Sequence, residues 1–208
     1  MCGGSTPPGA TYKVPAPHAL LTGRQVRSRY CGGPVASGKS SIARRLADEF
    51  GDHGLAAAVI DVDLVYEMVG QPGLRKDNPS TWARVRRVSA ALADAFAGEG
   101  LDVVIVDGDF LTPEKRADFL DARGDGSPGP LFVTLRVSLE HALERVNEDP
   151  TRTFSRDRPF LRRHYQNAAR DGLRGDLVLD TAETTPTEAA RLIVEWAMPR
   201  VHREERRF

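Results

Sequence analysis

The feature that most constrains this chain is a glycine-rich segment followed at once by a helical pattern. The segment, called the phosphate loop below, reads Gly33-Pro34-Val35-Ala36-Ser37-Gly38-Lys39-Ser40 and matches G-x-x-x-x-G-K-[ST]. It follows a possible strand over residues 25–31 and opens a predicted helix over residues 39–50, whose apolar residues fall on one face. In such a motif the backbone N–H groups surround phosphate oxygens, the lysine reaches the β and γ phosphates, and the serine holds Mg²⁺. The segment therefore predicts a nucleotide site, for which the alternative is an ordinary glycine turn.

Strand and helix signals alternate along the rest of the chain. Continuous apolar runs predict buried strands over residues 55–61, 102–108, 131–137 and 176–180. Helices are predicted between these runs, including one that Ser80 opens and that Gly98 and Gly100 close. Apolar strands joined by crossover helices are typical of a parallel sheet covered on both faces, so the predicted fold class is α/β.

Length and composition restrict the number of domains and the kinds of partner. The 208 residues suit one domain, which we expect over residues 25–200, between a disordered leader over 1–24 and a charged tail over 201–208. Because 29 Lys and Arg balance 29 Asp and Glu, the chain lacks the basic field that nucleic-acid binding favours. We find no signal pattern and no apolar run long enough to cross a bilayer. Cys2 and Cys31 show no pairing or metal spacing, which suits a reducing compartment. Together these features predict a cytoplasmic protein with no nucleic-acid or membrane partner.

Carboxylates end two of the predicted strands. Asp61 and Asp63 follow one apolar run, and Asp107 ends the next. The carboxyl ends of parallel strands face one crevice, which would bring these side chains close to the phosphate loop. We expect Asp63 to accept a substrate hydroxyl proton, and Asp61 and Asp107 to order the water shell of Mg²⁺. The alternative for Asp63 is a cap on a helix over residues 64–69, and Asp109 either faces substrate or begins a turn.

An arginine-rich stretch over residues 147–165 interrupts the apolar pattern and is a candidate lid. Guanidinium groups suit a transferring phosphoryl group, because their planar donors offset the charge on its oxygens. We expect Arg156 and Arg158 to contact that group and Arg152 to contact the nucleotide. Arg162 and Arg163 fit an exposed helix face.

Two further residues complete the candidate site. Thr181 follows the last predicted strand, in a loop expected to lie against the base of the nucleotide. His164 is more often a structural imidazole than a base. The predicted nucleotide contacts are Gly33, Pro34, Val35, Ala36, Ser37, Gly38, Lys39, Ser40, Ser41, Arg152 and Thr181. The predicted catalytic residues are Lys39, Asp63, Arg156 and Arg158, and the predicted metal site consists of Ser40, Asp61 and Asp107.

With these motifs, the chain resembles the small-molecule kinases of the P-loop superfamily, and among them most closely the chloramphenicol phosphotransferase-like group. The resemblance is carried by CGGPVASGKSS, VDLVYEM and VIVDGDFL, and runs from about Tyr30 to Trp196. The paired aspartates and RDRPFL are also similar to shikimate kinase. That family's Gly-Gly-Gly after the third strand is replaced here by Gly108-Asp109-Phe110, which argues against shikimate as the substrate.

The resemblance implies a P-loop NTPase fold, with a five-stranded parallel sheet between two helical layers. It also implies ATP with Mg²⁺ and transfer of the γ-phosphate to a hydroxyl of a small molecule, with an antibiotic among the possible acceptors. Substrate contacts are implied for Asp63, Tyr66, Trp82, Arg87 and Asp109. The expected assembly is a monomer or homodimer.

Two alternatives differ in class. A polynucleotide-end kinase would share the phosphate loop and the proton-accepting aspartate, but the zero net charge argues against it. A regulatory ATPase would need no base to activate a hydroxyl, so Asp63 and the lid arginines argue against that function.

Overall fold

The computed structural model describes residues 27–69, 78–125, 129–148 and 157–203. The strands are β1 (Arg27–Gly32), β2 (Ala57–Asp61), β3 (Val103–Gly108), β4 (Leu131–Arg136) and β5 (Leu177–Asp180). The helices are α1 (Lys39–Asp52), α2 (Val62–Val69), α3 (Pro79–Gly98), α4 (Pro113–Leu120), α5 (Leu139–Glu148), α6 (Arg158–Asp171) and α7 (Pro186–Arg203). The predicted leader and residues 204–208 of the predicted tail lie outside the described residues, whereas α7 runs to Arg203.

The five strands form one parallel sheet in the order β2-β3-β1-β4-β5, which confirms the predicted fold class. Because β1 lies between β3 and β4, the chain forms β2 and β3 on one side of β1 before it crosses to the other side. Open α/β sheets bind ligands in the crevice at such a reversal. The phosphate loop leaves the carboxyl end of β1, so the topology places it at this crevice.

Alternate residues of β3 face opposite sides of the sheet, as the strand geometry requires. Val103 and Ile105 share a core with α1 and α7, while Val104 and Val106 share a second core with α2 and α3. All four side chains are fully buried. A sheet covered on both faces explains why the interior strand β3 is a nearly continuous apolar run.

Three helix starts differ from the sequence predictions. The Asn78 carboxamide accepts a hydrogen bond from the Ser80 backbone N–H at 3.0 Å, so α3 begins before Ser80. α2 begins at Val62, two residues earlier than predicted. α4 was not predicted, although Thr112 caps it and proline stands at its start, a combination typical of helix N-termini.

Among the described residues, no helix has the length and apolar character that a membrane span requires.

Candidate active site

The phosphate loop has a tightly constrained backbone. Gly38 has a φ of 90°, a left-handed conformation that glycine adopts without strain, and it precedes the first turn of α1. Gly33 is confined instead by close approach, because a Cβ atom there would lie 2.5 Å from Ser37 Oγ and 2.9 Å from the Leu135 carbonyl oxygen. Both glycines of the motif are therefore required by geometry.

Lys39 turns back over the phosphate loop. Its Nζ donates a hydrogen bond to the Pro34 carbonyl oxygen at 3.1 Å. This contact holds the ammonium group above the loop, at the amino-terminal end of α1. Positive charge at a helix start attracts phosphate, so the predicted role of Lys39 fits its position.

Asp107 lies next to the loop with almost no exposure. The residue is 3% exposed, and its Oδ1 atom is buried without a hydrogen-bond partner among the described residues. Burial raises the pKa of Asp107 to about 6, against the Lys39 charge and a hydrogen bond from Ser40. The charges of Asp61 and Asp63 raise the pKa of Asp107 further.

Asp61 and Asp63 take different positions at the end of β2. In the sheet register Asp61 pairs with Asp107, and its Oδ1 accepts a hydrogen bond from the Asp63 backbone N–H at 2.9 Å. Asp61 therefore caps α2, which explains the early start of that helix. Asp63 lies in the first turn of α2, where its side chain is exposed.

The predicted substrate residues do not share one environment. Tyr66 is 4% exposed and its ring stacks on Trp82, with centroids 4.4 Å apart. Arg87 lies 3.8 Å from Asp118, which the buried Arg86 also binds at 2.7 Å. Tyr66 is thus part of the packing beside the site, and Arg87 is a half-exposed member of an ion-pair cluster.

Asp109 stands beyond the end of β3 and is paired with Lys115. The Lys115 Nζ lies 2.6 Å from Asp109 Oδ2, and the Leu111 backbone N–H donates to Oδ1 at 3.3 Å. Burial by itself would raise the pKa of Asp109, but Lys115 and these hydrogen bonds hold the pKa below its ordinary value. The group is therefore a carboxylate with a fixed cationic partner.

The lid residues are only partly described. Arg158 is exposed at the first position of α6, and Arg152 and Arg156 lie outside the described residues. Arg162 and Arg163 are exposed on α6, in the positions expected of a surface face.

Thr181 joins the phosphate loop to the edge of the sheet. It is 1% exposed, and its Oγ1 lies 3.0 Å from the Ser37 carbonyl oxygen and 3.2 Å from the Arg136 carbonyl oxygen. Since one hydroxyl donates a single proton, these two carbonyls share it. The hydroxyl is thus engaged by protein backbone, and contact with the base of a nucleotide stays a prediction.

Comparison with known proteins assigns the family. A family model described as an AAA domain matches residues 30–158, more than half of the chain. A shikimate kinase from Stenotrophomonas maltophilia (strain R551-3) is 31% identical over 201 residues, which cover 88% of this chain and 93% of that protein. The chain belongs to the P-loop small-molecule kinases.

Two solved structures are similar to this kinase in fold. A sugar kinase from Janibacter sp. HTCC2649 has a TM-score of 0.63 at 22% identity, covering 85% of this chain and 98% of its own. A tunicamycin resistance protein from Deinococcus radiodurans has a TM-score of 0.58 at 17% identity, covering 83% and 96%. At these identities the likeness shows the fold alone. The narrower resemblance to the chloramphenicol phosphotransferase-like group stays a prediction.

Sequence reasoning missed Arg145, through which α5 reaches the phosphate loop of this kinase. Its Nη1 donates to the Ala36 carbonyl oxygen at 3.3 Å, and its Nη2 donates to the Thr181 carbonyl oxygen. A weak signal was present, because Arg145 lies between Ala142 and Val146, both of which α5 buries. An arginine within the buried face of a helix calls for a polar partner.

Two α6 residues that approach the loop also lacked a sequence signal. His164 accepts a hydrogen bond from the Val35 backbone N–H, and Tyr165 donates one to the Val35 carbonyl oxygen. Nothing in the local sequence links residues that lie 129 and 130 positions apart. The tertiary structure alone brings them together.

The kinase presents a donor set that fits Mg²⁺. Buried Asp107 Oδ1 has no protein partner among the described residues, and Ser40 lies within hydrogen-bond reach of the same carboxylate. The part of the chain that the structure describes contains no group of three or more His, Cys, Asp or Glu side chains able to hold a metal ion. Mg²⁺ commonly binds through one or two protein oxygens, with waters and substrate phosphates as its other ligands, so this small set suits it.

Proposed function

We propose that this kinase transfers the γ-phosphate of ATP to a hydroxyl group of a small molecule, with Asp63 as the proton acceptor. The observation that carries the proposal is the position of Asp63, which follows the carboxyl end of β2, on the side of the sheet where the phosphate loop and Asp107 lie. The Asp63 side chain is exposed, and its charge contributes to the raised pKa of buried Asp107. An exposed base beside a phosphate site suits an acceptor that must enter from solvent.

The reaction is a displacement at the γ-phosphorus. The acceptor hydroxyl gives its proton to the Asp63 carboxylate while its oxygen forms the new bond to phosphorus. The bond from the γ-phosphorus to the β–γ bridging oxygen breaks, and ADP leaves. Lys39 offsets negative charge on the phosphates from the loop side, and Arg158 does so from the start of α6. Arg152 and Arg156 are proposed to assist from the lid.

Ser40, Asp61 and Asp107 are proposed to hold Mg²⁺ and its waters. When bound, the ion neutralises charge on the β and γ phosphate oxygens. Asp107 supports this assignment because its orphaned Oδ1 needs a partner, and burial without one is costly. Asp61 contributes one oxygen to the cap of α2, which leaves its other oxygen available for a metal-bound water.

The acceptor is proposed to be an alcohol other than shikimate, although a shikimate kinase is similar to this chain. Asp109 and its partner Lys115 stand beyond β3, at the segment where the Gly-Gly-Gly of shikimate kinases is replaced. Asp109 in place of a glycine, with Lys115 paired to it, changes which molecule fits there. An antibiotic hydroxyl is a candidate, since a tunicamycin resistance protein shares the fold.

A cytoplasmic location is proposed as well. ATP is available there, and Cys31 is a buried free thiol, which suits a reducing compartment.

The test is a screen for ADP release that depends on both ATP and an added alcohol. The panel contains sugars, nucleosides, shikimate, chloramphenicol, tunicamycin and an oligonucleotide with a free 5′-hydroxyl. With the best acceptor, Asp63→Ala should lower kcat about 10² to 10⁴-fold while the Kd for ATP changes little. Asp48→Ala, which removes an exposed carboxylate from α1, is the matched control.

Two results would contradict the proposal. If Asp63→Ala weakened ATP binding as much as transfer, Asp63 would not be the proton acceptor. If only the oligonucleotide stimulated ADP release, a polynucleotide-end kinase would replace the small-molecule assignment.

A further inference from the structure

Helix α6 contacts the phosphate loop through two neighbouring side chains that bind a single loop residue. The Val35 backbone N–H donates to His164 Nε2 at 3.2 Å. The Tyr165 hydroxyl donates to the Val35 carbonyl oxygen at 2.9 Å. Both backbone polar groups of Val35 are therefore held by the same helix.

The contact fixes the chemical state of His164. Because Nε2 accepts a hydrogen bond, the ring must be neutral and carry its own proton on Nδ1. Burial lowers the pKa of His164, and the charges of Lys39 and Lys115 lower it further, while Asp109 opposes them. The surroundings thus favour the one ring state that can accept the Val35 N–H.

Tyr165 is likewise held in the state that the contact needs. Burial raises the pKa of the Tyr165 phenol well above its ordinary value, so the group keeps its proton and donates it. The ring also belongs to a small apolar cluster with Ala36 and Leu161. Apolar packing and hydrogen bonding therefore join α6 to the loop at the same place.

The loop residue that follows Val35 has a strained backbone. Ala36 has a φ of 65°, and among the described residues it is the only non-glycine with a positive φ. A left-handed conformation disfavours residues with a Cβ atom and persists only where the surroundings enforce it. Here the enforcing contacts are the two hydrogen bonds to Val35 and the Arg145 hydrogen bond to the Ala36 carbonyl oxygen at 3.3 Å.

We propose that His164 and Tyr165 are positioning residues that hold the phosphate loop in the strained conformation that binds the phosphates of ATP. Neither residue is assigned a part in the chemistry, and the inference rests on the proposed use of ATP. By holding Val35 they keep the turn at Ala36 closed, so that the backbone N–H groups of the loop stay directed toward phosphate. The same contacts seat α6, whose first residue is Arg158, against the loop.

The test compares variants that remove each hydrogen bond with variants that keep it. His164→Leu removes the acceptor at similar size, and His164→Gln supplies an amide oxygen near the position of Nε2. Tyr165→Phe removes only the hydroxyl. Gln166→Ala, at an exposed α6 position, is the matched control. The Kd for ATP is measured by calorimetry on the full chain, and the thermal unfolding midpoint is measured in parallel.

We expect His164→Leu and Tyr165→Phe each to raise the Kd for ATP about fivefold, since each loses one hydrogen bond. The double variant should raise it more than either single variant, and His164→Gln should recover most of the loss. Gln166→Ala should bind ATP like the unmodified protein. These results together would support the positioning role.

Other results would overturn the inference. If the unfolding midpoint fell while the Kd for ATP stayed constant, the contacts would serve only to hold α6 in place. An equal loss in His164→Gln and His164→Leu would exclude the hydrogen bond as the cause. These binding measurements need no acceptor, so failure to find a phosphorylated alcohol would refute the proposed function without affecting the result for the loop.

Discussion

The two helices that meet the phosphate loop are held in contrasting ways. α1 continues directly from the loop and buries Ile42, Leu46 and Phe50, each at most 2% exposed, in the core beneath the sheet. α6 approaches the loop from a distant part of the sequence and, among its described side chains, buries only Leu161 and Ala168. Most of its remaining described side chains are exposed or half-buried.

This difference separates the part of the site fixed by the core from the part fixed by a few contacts. Burial of several large side chains makes the opening of α1 costly, since each contributes about 1.5 to 3 kcal/mol. α6 depends mainly on one leucine, the hydrogen bonds of His164 and Tyr165, and its own backbone. Elements that must move for ligands to enter and leave are commonly of this less stable kind.

The largest expected effect on activity is at Lys39, the first residue of α1, which is the helix that the core holds. Lys39→Ala should lower phosphoryl transfer by about 10³-fold or more, because it removes a cation proposed to offset the charge of the phosphates. The free energy of unfolding should change little, since the Lys39 side chain is only partly buried. Steady-state rates and urea unfolding measure the two quantities, with the exposed Arg44→Ala as control. If Lys39→Ala lowered the rate of phosphoryl transfer no more than His164→Leu does, the proposed distinction between a catalytic and a positioning residue would be wrong.

A second effect tests the contrast in stability itself. The backbone amides of α6 should exchange with solvent about a hundredfold faster than those at the centre of α1. Native-state hydrogen exchange measures both helices in the same sample. Added ATP should slow exchange in α6 more than in α1, because ligand binding stabilises the conformation in which α6 is seated. Equal protection without nucleotide would mean that the few contacts of α6 suffice to hold it as firmly as the core holds α1.

The smallest expected effect is a dependence on pH that should arise from α6. Because the pKa of His164 in the folded protein lies below its ordinary value of 6.5, protonation is easier in the unfolded chain. The stabilising contribution of His164 is therefore complete above about pH 6.5 and is lost as the pH falls below that value. The charged groups that act on the ring are Asp109, Lys39 and Lys115.

The matched comparison is with His164→Gln, which cannot titrate. The free energy of unfolding of the unmodified protein should fall relative to that of the variant between about pH 7 and pH 5. Urea unfolding across this range measures the difference, in which the shared titrating groups cancel. A constant difference would show that His164 keeps the same proton state in the folded and unfolded chains.

The sequence predicted the fold, and it placed several residues of the candidate site, because those features have local signals. Apolar runs located four of the five strands, and a possible strand before the phosphate loop supplied the fifth. The alternation of strands and helices led to a parallel sheet. Asp61 and Asp107 were placed at one edge from strand ends alone, and the register pairs them directly. The weaker points were helix starts, such as α2 and α4, where a capping side chain decides the first residue.

The contacts that other helices make with the phosphate loop had no such local signal. Arg145, His164 and Tyr165 bind the loop across 109 to 130 positions of sequence. A histidine and a tyrosine on an otherwise polar helix are compatible with many environments. Their partners are backbone atoms, which carry no side-chain identity that a sequence pattern could match.

By itself the sequence determined a strand, a glycine loop and a helix in that order, because φ preferences and apolar periodicity act between near neighbours. It also determined which strand ends carry carboxylates. Only the tertiary structure decided which side chains enclose the loop and enforce the left-handed turn at Ala36. The physical reason is that hydrogen bonds and burial depend on distance in space, and the crossover from β4 through α5 and α6 sets that distance only once the sheet is assembled.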